Sequence, residues 1–199
     1  MSGSSKDQYR TRILTARREL ANAVCEDESS RLAAHLGALC GTSSTVCAYV
    51  PAGTEPGSVG MIEILAQRCG TVLLPCIPPG TPQPLQWARY TPGALTPGRF
   101  GILEPTGPRL AANIIASADT ILIPALAVDR DGVRLGRGGG FYDRSLILRN
   151  PEARLVAVVR DCEMLDRLPA EVHDVRMTHA LTPVAGLITL GNATVSAGT

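Results

Sequence analysis

The sequence predicts a single α/β domain over residues 1–199, with an open, mostly parallel sheet covered by helices on both faces in a three-layer αβα arrangement. Three observations carry this expectation. Short, apolar, partly β-branched runs recur along the chain, as strands buried on both faces require. Helical patterns fall between those runs, which favours an α/β sheet over a β-sandwich. A chain of 199 residues with 45% hydrophobic side chains can bury one sizeable core. No internal repeat is present.

Residues 5–21 place Ile13, Leu14, Arg17, Arg18 and Leu20 at helical spacing behind candidate caps at Ser4 and Ser5, and a second helix is expected over 27–39. Thr45–Val50 (TVCAYV) reads as a buried strand, 51–57 (PAGTEPG) as a turn, and 58–69 as the helix that follows. Thr71–Ile77, Leu85–Tyr90, Thr120–Val128 and Leu155–Val159 read as further strands, with a helical pattern at 140–149. Between 75 and 108 prolines and glycines are dense, and proline's missing amide proton forbids a long regular element there. This stretch is expected to form active-site loops plus a β-hairpin at one sheet edge. The end of the chain, about 190–199, reads as a frayed tail.

A formal charge of +1 gives no large electrostatic footprint, so neither nucleic acid nor a membrane surface is an expected partner. The polar start of the chain has no apolar targeting core, and no run approaches the ~18 apolar residues of a membrane span. A soluble, cytoplasmic chain is therefore expected; it is also expected to be a monomer. Six cysteines (Cys25, Cys40, Cys47, Cys69, Cys76, Cys162) show no CxxC pair, which argues against zinc and predicts reduced, mostly buried thiols.

Chemistry concentrates in Asp129–Arg144, DRDGVRLGRGGGFYDR, which follows an apolar strand and leads into a helix. Gly138, Gly139 and Gly140 let backbone amides approach an anion, and the helix behind them aims its N-terminal dipole the same way. Arg134 and Arg137 add guanidinium forks suited to phosphate oxygens. A bare glycine triplet is equally an ordinary flexible turn. The stretch is neither GxxxxGK[ST] nor GxGxxG, so no Walker-type or dinucleotide loop is supported.

RLGRGGGFYDR, arriving after an apolar strand with Pro124 and an AVDRDG turn, resembles the signature of the 5-formyltetrahydrofolate cyclo-ligase family. Four further segments fall in that family's order: KDQYRTRILTARREL, YVPAGTEP, GRFGILEP and LPAEVHDVRMTH. The resemblance implies an α/β fold and an enzyme that converts 5-formyltetrahydrofolate to 5,10-methenyltetrahydrofolate with ATP and Mg2+, yielding ADP and phosphate. It also implies the order of events. The formyl oxygen attacks the γ-phosphoryl group, then nitrogen 10 closes the ring and expels phosphate, so the enzyme chiefly positions groups and neutralises charge. The rival readings are a non-catalytic phosphate- or nucleotide-binding regulator on the same fold and a sugar-phosphate isomerase that needs no ATP.

By that resemblance ATP would be held by Lys6, Arg10, Arg134, Gly136, Arg137, Gly138, Gly139, Gly140, Phe141 and Tyr142. Arg137 and Tyr142 would stand nearest the reacting groups. Lys6 is the chain's only lysine, and with Arg10 one helical turn on it could otherwise be a solvated basic face. Val50 and Glu55 would contact the pterin, whose donors suit a carboxylate acceptor; a plain surface glutamate is the alternative. Asp143, and Asp174 of the His173–Asp174 pair, would serve Mg2+, although Asp143 could instead simply cap or salt-bridge locally. Phe141 replaces the commoner first tyrosine of the signature, Gly139 stands where some members carry lysine, and His179 replaces a usual acid. Trp87 is open between core and site.

Overall fold

The computed structural model describes residues 5–39, 41–42, 44–171 and 174–191. In chain order its elements are α1 (Lys6–Arg18), α2 (Asn22–His35), β1 (Thr45–Cys47), α3 (Val59–Arg68), β2 (Thr71–Cys76), β3 (Gln86–Arg89), β4 (Leu95–Pro97) and β5 (Leu103–Pro105). There follow β6 (Thr120–Pro124), β7 (Ala127–Asp129), β8 (Arg134–Leu135), α4 (Phe141–Leu146), β9 (Arg154–Val158), β10 (Met164–Leu165), β11 (His179–Thr182) and β12 (Gly186–Thr189). The main sheet has seven strands in the order β12-β11-β9-β6-β1-β2-β3. Its five inner strands run parallel, and β12 and β3 pair antiparallel at the two edges.

Each inner strand is apolar on both faces, and the period of two sorts its side chains into two cores. Val46, Val72, Leu74, Leu122, Val156 and Val158 face α2 and α3, meeting Leu32, Leu36, Met61, Ile62 and Leu65. Cys47, Leu73, Ile121, Ile123, Leu155 and Ala157 face the other way, against Ile115 of a 3-10 turn, Leu146 of α4 and Trp87. The expected three-layer arrangement is thus present. Trp87 belongs wholly to this second core.

A smaller sheet, β10-β7-β8, stands beside the main one. Its Leu126, Val133 and Leu135 pack with Leu168 against Ile13 of α1. Asp129 organises it from a fully buried position, accepting hydrogen bonds from the amides of Asp131 (3.0 Å), Val133 (2.8 Å) and Leu168 (2.9 Å). Helix α1 opens as the sequence indicates, with Ser5 and Gln8 forming a capping box. It is held to the body by Arg17, whose buried guanidinium makes a bidentate pair with Glu163 at 2.6 and 2.7 Å.

Several boundaries differ from expectation for identifiable reasons. The run 120–128 is two strands in two sheets. Pro124 supplies no ladder donor, and the chain turns there out of the main sheet into β7. Helix α2 begins at Asn22 rather than 27, because its N-cap Ala21 has no side-chain acceptor to announce it. The helix expected at 140–149 is confined to Phe141–Leu146. The hairpin β11–β12 was not expected. It delays the tail, since Leu190 is buried and its amide donates to the Thr178 carbonyl at 2.9 Å. Residues 192–199, Ser4 and His173 lie outside the described residues. Cys25, Cys47, Cys76 and Cys162 are free thiols. Cys69 corrects the reduced-thiol expectation: it is disulfide-bonded, and scattered spacing gives no signal of such a pair.

Candidate active site

Chain segments leaving the carboxyl ends of β1, β2 and β6 converge with the glycine-rich turn on a cavity of about 730 Å³. In an open α/β sheet this is where loops can present ligand contacts without disturbing the core. One wall is Arg134, Gly136, Arg137, Gly138, Gly139, Gly140, Phe141, Tyr142 and Asp143; the facing wall is Tyr49, Val50, Ala52, Gly53 and Glu55. Two stretches far apart in sequence, singled out for different ligands, thus share one cavity.

The glycine wall owes its shape to backbone conformations that side chains disfavour. Gly138 has φ +95°, and Gly140, the N-cap of α4, has φ +67°. A Cβ at Gly140 would also displace the Arg144 guanidinium, the end of a flexible side chain. Since α4 spans only six residues, few peptide dipoles add up behind this turn. An anion here would rely on main-chain amides and arginines more than the sequence suggested.

The two signature arginines are placed differently. Arg134, its side chain 7% exposed, lies over the Tyr142 ring at 5.8 Å from the centroid and donates to Asp143 Oδ1. Arg137 is half-exposed and faces Glu55 Oε1 at 3.2 Å, so the cation expected at phosphate pairs directly with the acid expected at the pterin. The second oxygen of Glu55 accepts from the Ala52 amide at 3.0 Å, closing the turn. The Tyr142 hydroxyl is buried and has no partner among the described residues. Burial, reinforced by the charge of Glu55 and opposed by Arg134, raises its pKa, so the phenol keeps its proton. Burial and the Glu55 charge act likewise on Tyr49.

Lys6, Arg10 and Asp174 are not on the cavity wall. Arg10 lies beside it, its Nε donating to the Gly136 carbonyl at 3.0 Å and its Nη1 to Asp7 at 2.5 Å. Lys6 Nζ reaches Glu171 at 2.9 Å and Asp174 at 3.0 Å. Burial works to lower the Lys6 pKa, but the hydrogen bonds and charges of those two carboxylates outweigh it and hold the value above the ordinary one. Among the described residues no three His, Cys, Asp or Glu side chains converge as a metal cage. Magnesium needs none where phosphate oxygens share the ion with one or two carboxylates, and the partly exposed Asp143 on the cavity wall fits that chemistry.

Sequence reasoning passed over Phe100, which quoted segments contained but no role was given. It is 70% exposed, lines the cavity, and sits at φ +60° in the turn between β4 and β5. A bulky residue in the left-handed region is uncommon and costs backbone strain. The signal was there in GRFG, an aromatic between turn residues.

Fold and site together define an α/β protein whose cavity sets arginines and a glycine-rich turn opposite a carboxylate. The 5-formyltetrahydrofolate cyclo-ligase family model matches residues 2–183, and the chain belongs to that family. A 5-formyltetrahydrofolate cyclo-ligase of Mycolicibacterium smegmatis is 51% identical over 193 residues, covering 96% of this chain and 100% of that one. The Escherichia coli K12 protein of the same name is 30% identical over 141 residues, 70% of this chain and 78% of its own. An NMR structure of Aquifex aeolicus 5,10-methenyltetrahydrofolate synthetase, 24% identical, superposes with a TM-score of 0.78 and covers 98% of this chain and 96% of that one, a likeness of fold. The mixed, mostly parallel sheet is thus the fold of this family, and the chain is a cyclo-ligase of it.

Proposed function

We propose that the 730 Å³ cavity is where this chain converts 5-formyltetrahydrofolate to 5,10-methenyltetrahydrofolate at the expense of ATP. One observation carries the assignment: the arginine- and glycine-lined wall and the Glu55 turn face each other across a single cavity, with Phe100 exposed at its edge. A triphosphate and a pterin could therefore lie side by side, as a direct attack of the formyl oxygen on the γ-phosphoryl group demands. Small-molecule substrates suffice for such a site.

The roles follow from chemistry. Arg137, half-exposed and facing the cavity, is the guanidinium able to leave Glu55 and follow charge onto the transferred group. Arg134, already engaged by Asp143 and Tyr142, fixes the wall. Amides of 138–140 with Arg10 hold the remaining phosphates, and Lys6 adds a point charge from α1. Glu55 accepts hydrogen bonds from the pterin beside Val50. Tyr142 acts as a neutral O–H donor, because its raised pKa rules out a role as base. Asp143 would hold Mg2+, which when bound neutralises phosphate charge; Asp174 would act from the Lys6 side. Growth of methenyl absorbance on mixing the protein with 5-formyltetrahydrofolate, dependent on ATP and on divalent cation, tests the whole reading. Binding of both ligands without that growth would leave a regulator instead.

A further inference from the structure

Outside the cavity, four buried or nearly buried charges form a network that touches the main chain at Ala125, which lines the cavity, and at Thr54, beside Glu55. Glu163 accepts both forks of Arg17, and its Oε2 also accepts from the Arg160 amide at 2.8 Å. The Arg160 guanidinium, 4% exposed, donates through Nε to Glu28 at 2.7 Å. Two arginines thus balance two glutamates. A buried group of this kind is expensive to desolvate, and most of its donors are used, Arg17 Nη1 being left without a partner among the described residues. Here two of them go to main-chain carbonyls: Arg17 Nη2 to Ala125 at 2.8 Å and Arg160 Nη1 to Thr54 at 3.1 Å.

Those carbonyls are not incidental. Ala125 lines the cavity, and Thr54 immediately precedes Glu55 in a turn whose Gly53 and Gly57 have φ of +61° and +103°. The turn's other hydrogen bonds close on themselves: Glu55 amide to Ala52, Ala52 amide to Glu55, and Tyr49 hydroxyl to Pro56. Beside the Tyr49 hydroxyl bond and the ion pair with Arg137, the bond from Arg160 ties this turn to the segment that follows β9.

We propose that Arg160 is a positioning residue for the folate substrate: by clamping the Thr54 carbonyl it holds Glu55 at the cavity wall, and through Glu163 and Arg17 it ties that turn to α1, the helix bearing Lys6 and Arg10. The inference rests on the assignment of Glu55 to the pterin. Arg160→Lys keeps the charge opposite Glu28 but loses the fork that reaches Thr54 as well. It should raise KM for 5-formyltetrahydrofolate about tenfold, with kcat and KM for ATP changed less than about twofold, since a small misplacement of a binding group suffices for this. Amide hydrogen exchange across 52–57 should quicken in the same variant. Should Arg160→Lys fail to fold, Glu28→Gln weakens the same clamp and should raise that KM about threefold. A lowered melting temperature with an unchanged folate KM overturns the proposal, because a merely structural network would behave so. Glu55→Gln run alongside separates the two ideas. A raised KM there with an unchanged one in Arg160→Lys overturns the clamp alone, whereas an unchanged KM in Glu55→Gln overturns the pterin assignment and the clamp with it.

Discussion

Replacing Tyr142 with phenylalanine should move stability and activity in opposite directions. The hydroxyl is buried without a partner among the described residues, and an unsatisfied buried polar group costs about 1–3 kcal/mol. Removing one oxygen leaves the ring against the Arg134 guanidinium and the second core, so packing is retained. Recovering about 1 kcal/mol in a chain of 199 residues corresponds to a rise in Tm of about 2–4 °C. If the hydroxyl instead finds its partner in the bound substrate, losing a neutral hydrogen bond of about 0.5–1.5 kcal/mol lowers kcat/KM about 2- to 10-fold. Thermal melts of the ligand-free protein and initial rates of methenyl formation, taken on one preparation, measure both. A Tm that falls by several degrees would show that the hydroxyl is bonded within the fold, and unchanged kinetics would remove it from the site. Because burial and Glu55 keep the phenol protonated, neither protein should show a tyrosine limb in its pH–rate profile.

Lys6→Ala should raise KM for ATP far more than KM for the folate, and Lys6→Arg should rescue it only in part; equal effects on both substrates would refute the phosphate role. Glu55→Gln should weaken folate binding by about 1.5–3 kcal/mol, seen as a raised folate KM, with ATP affinity little changed. Asp143→Asn should shift the magnesium titration of activity upward while the melt holds; identical titrations would make Asp143 merely the partner of Arg134. His179 supplies a pH test. Burial, aided by Arg154, holds its pKa below the ordinary 6.5, so its contribution to stability is complete above that value and is lost as pH falls below it. His179→Gln should therefore lose less stability on acidification from 6.5 downward, and parallel stability curves would refute this.

The central sheet was legible because its strands are buried on both faces and so announce themselves as apolar runs; TVCAYV and LVAVV could hardly be anything else. Edges were less legible. HALT and GLIT in β11 and β12 are four residues each and only half apolar in character, so Pro183 and Gly186 mark a turn without announcing the strands it joins. Within the site, residue identities could be read from the signature, but partnerships could not. Nothing local in RLGRGGGFYDR says that Arg137 will face Glu55, since that contact is made by the fold bringing together the segments that follow β1 and β8, strands of two different sheets. Arg160 was hidden for the opposite reason. It closes an apolar run and looks like the charged residue that ends a strand, until the fold sets Glu28 and Thr54 around it.

The partnerships themselves say how such a site can stay folded while waiting for a highly charged substrate. Arg137 pairs with Glu55, Arg134 with Asp143 and Lys6 with Asp174, so three of the cations assigned to phosphate are matched by acids assigned to the pterin or the metal, while Arg10 pairs with Asp7. Unmatched, these cations would repel one another across one end of the sheet and weaken the fold. Matched, they must exchange partners when ATP, folate and metal arrive, and the exchange differs in cost from pair to pair. The half-exposed Arg137 can swing from Glu55 to phosphate with little desolvation, whereas Arg134, 7% exposed, is expensive to move. On the proposed roles the site divides into a fixed cation that shapes the wall and a mobile one that would meet the substrate. On that division Arg137→Lys should impair turnover while leaving the melt nearly unchanged, and Arg134→Lys should lower the melt as well. A collapse of stability at Arg137 with none at Arg134 would reverse the assignment of the two arginines.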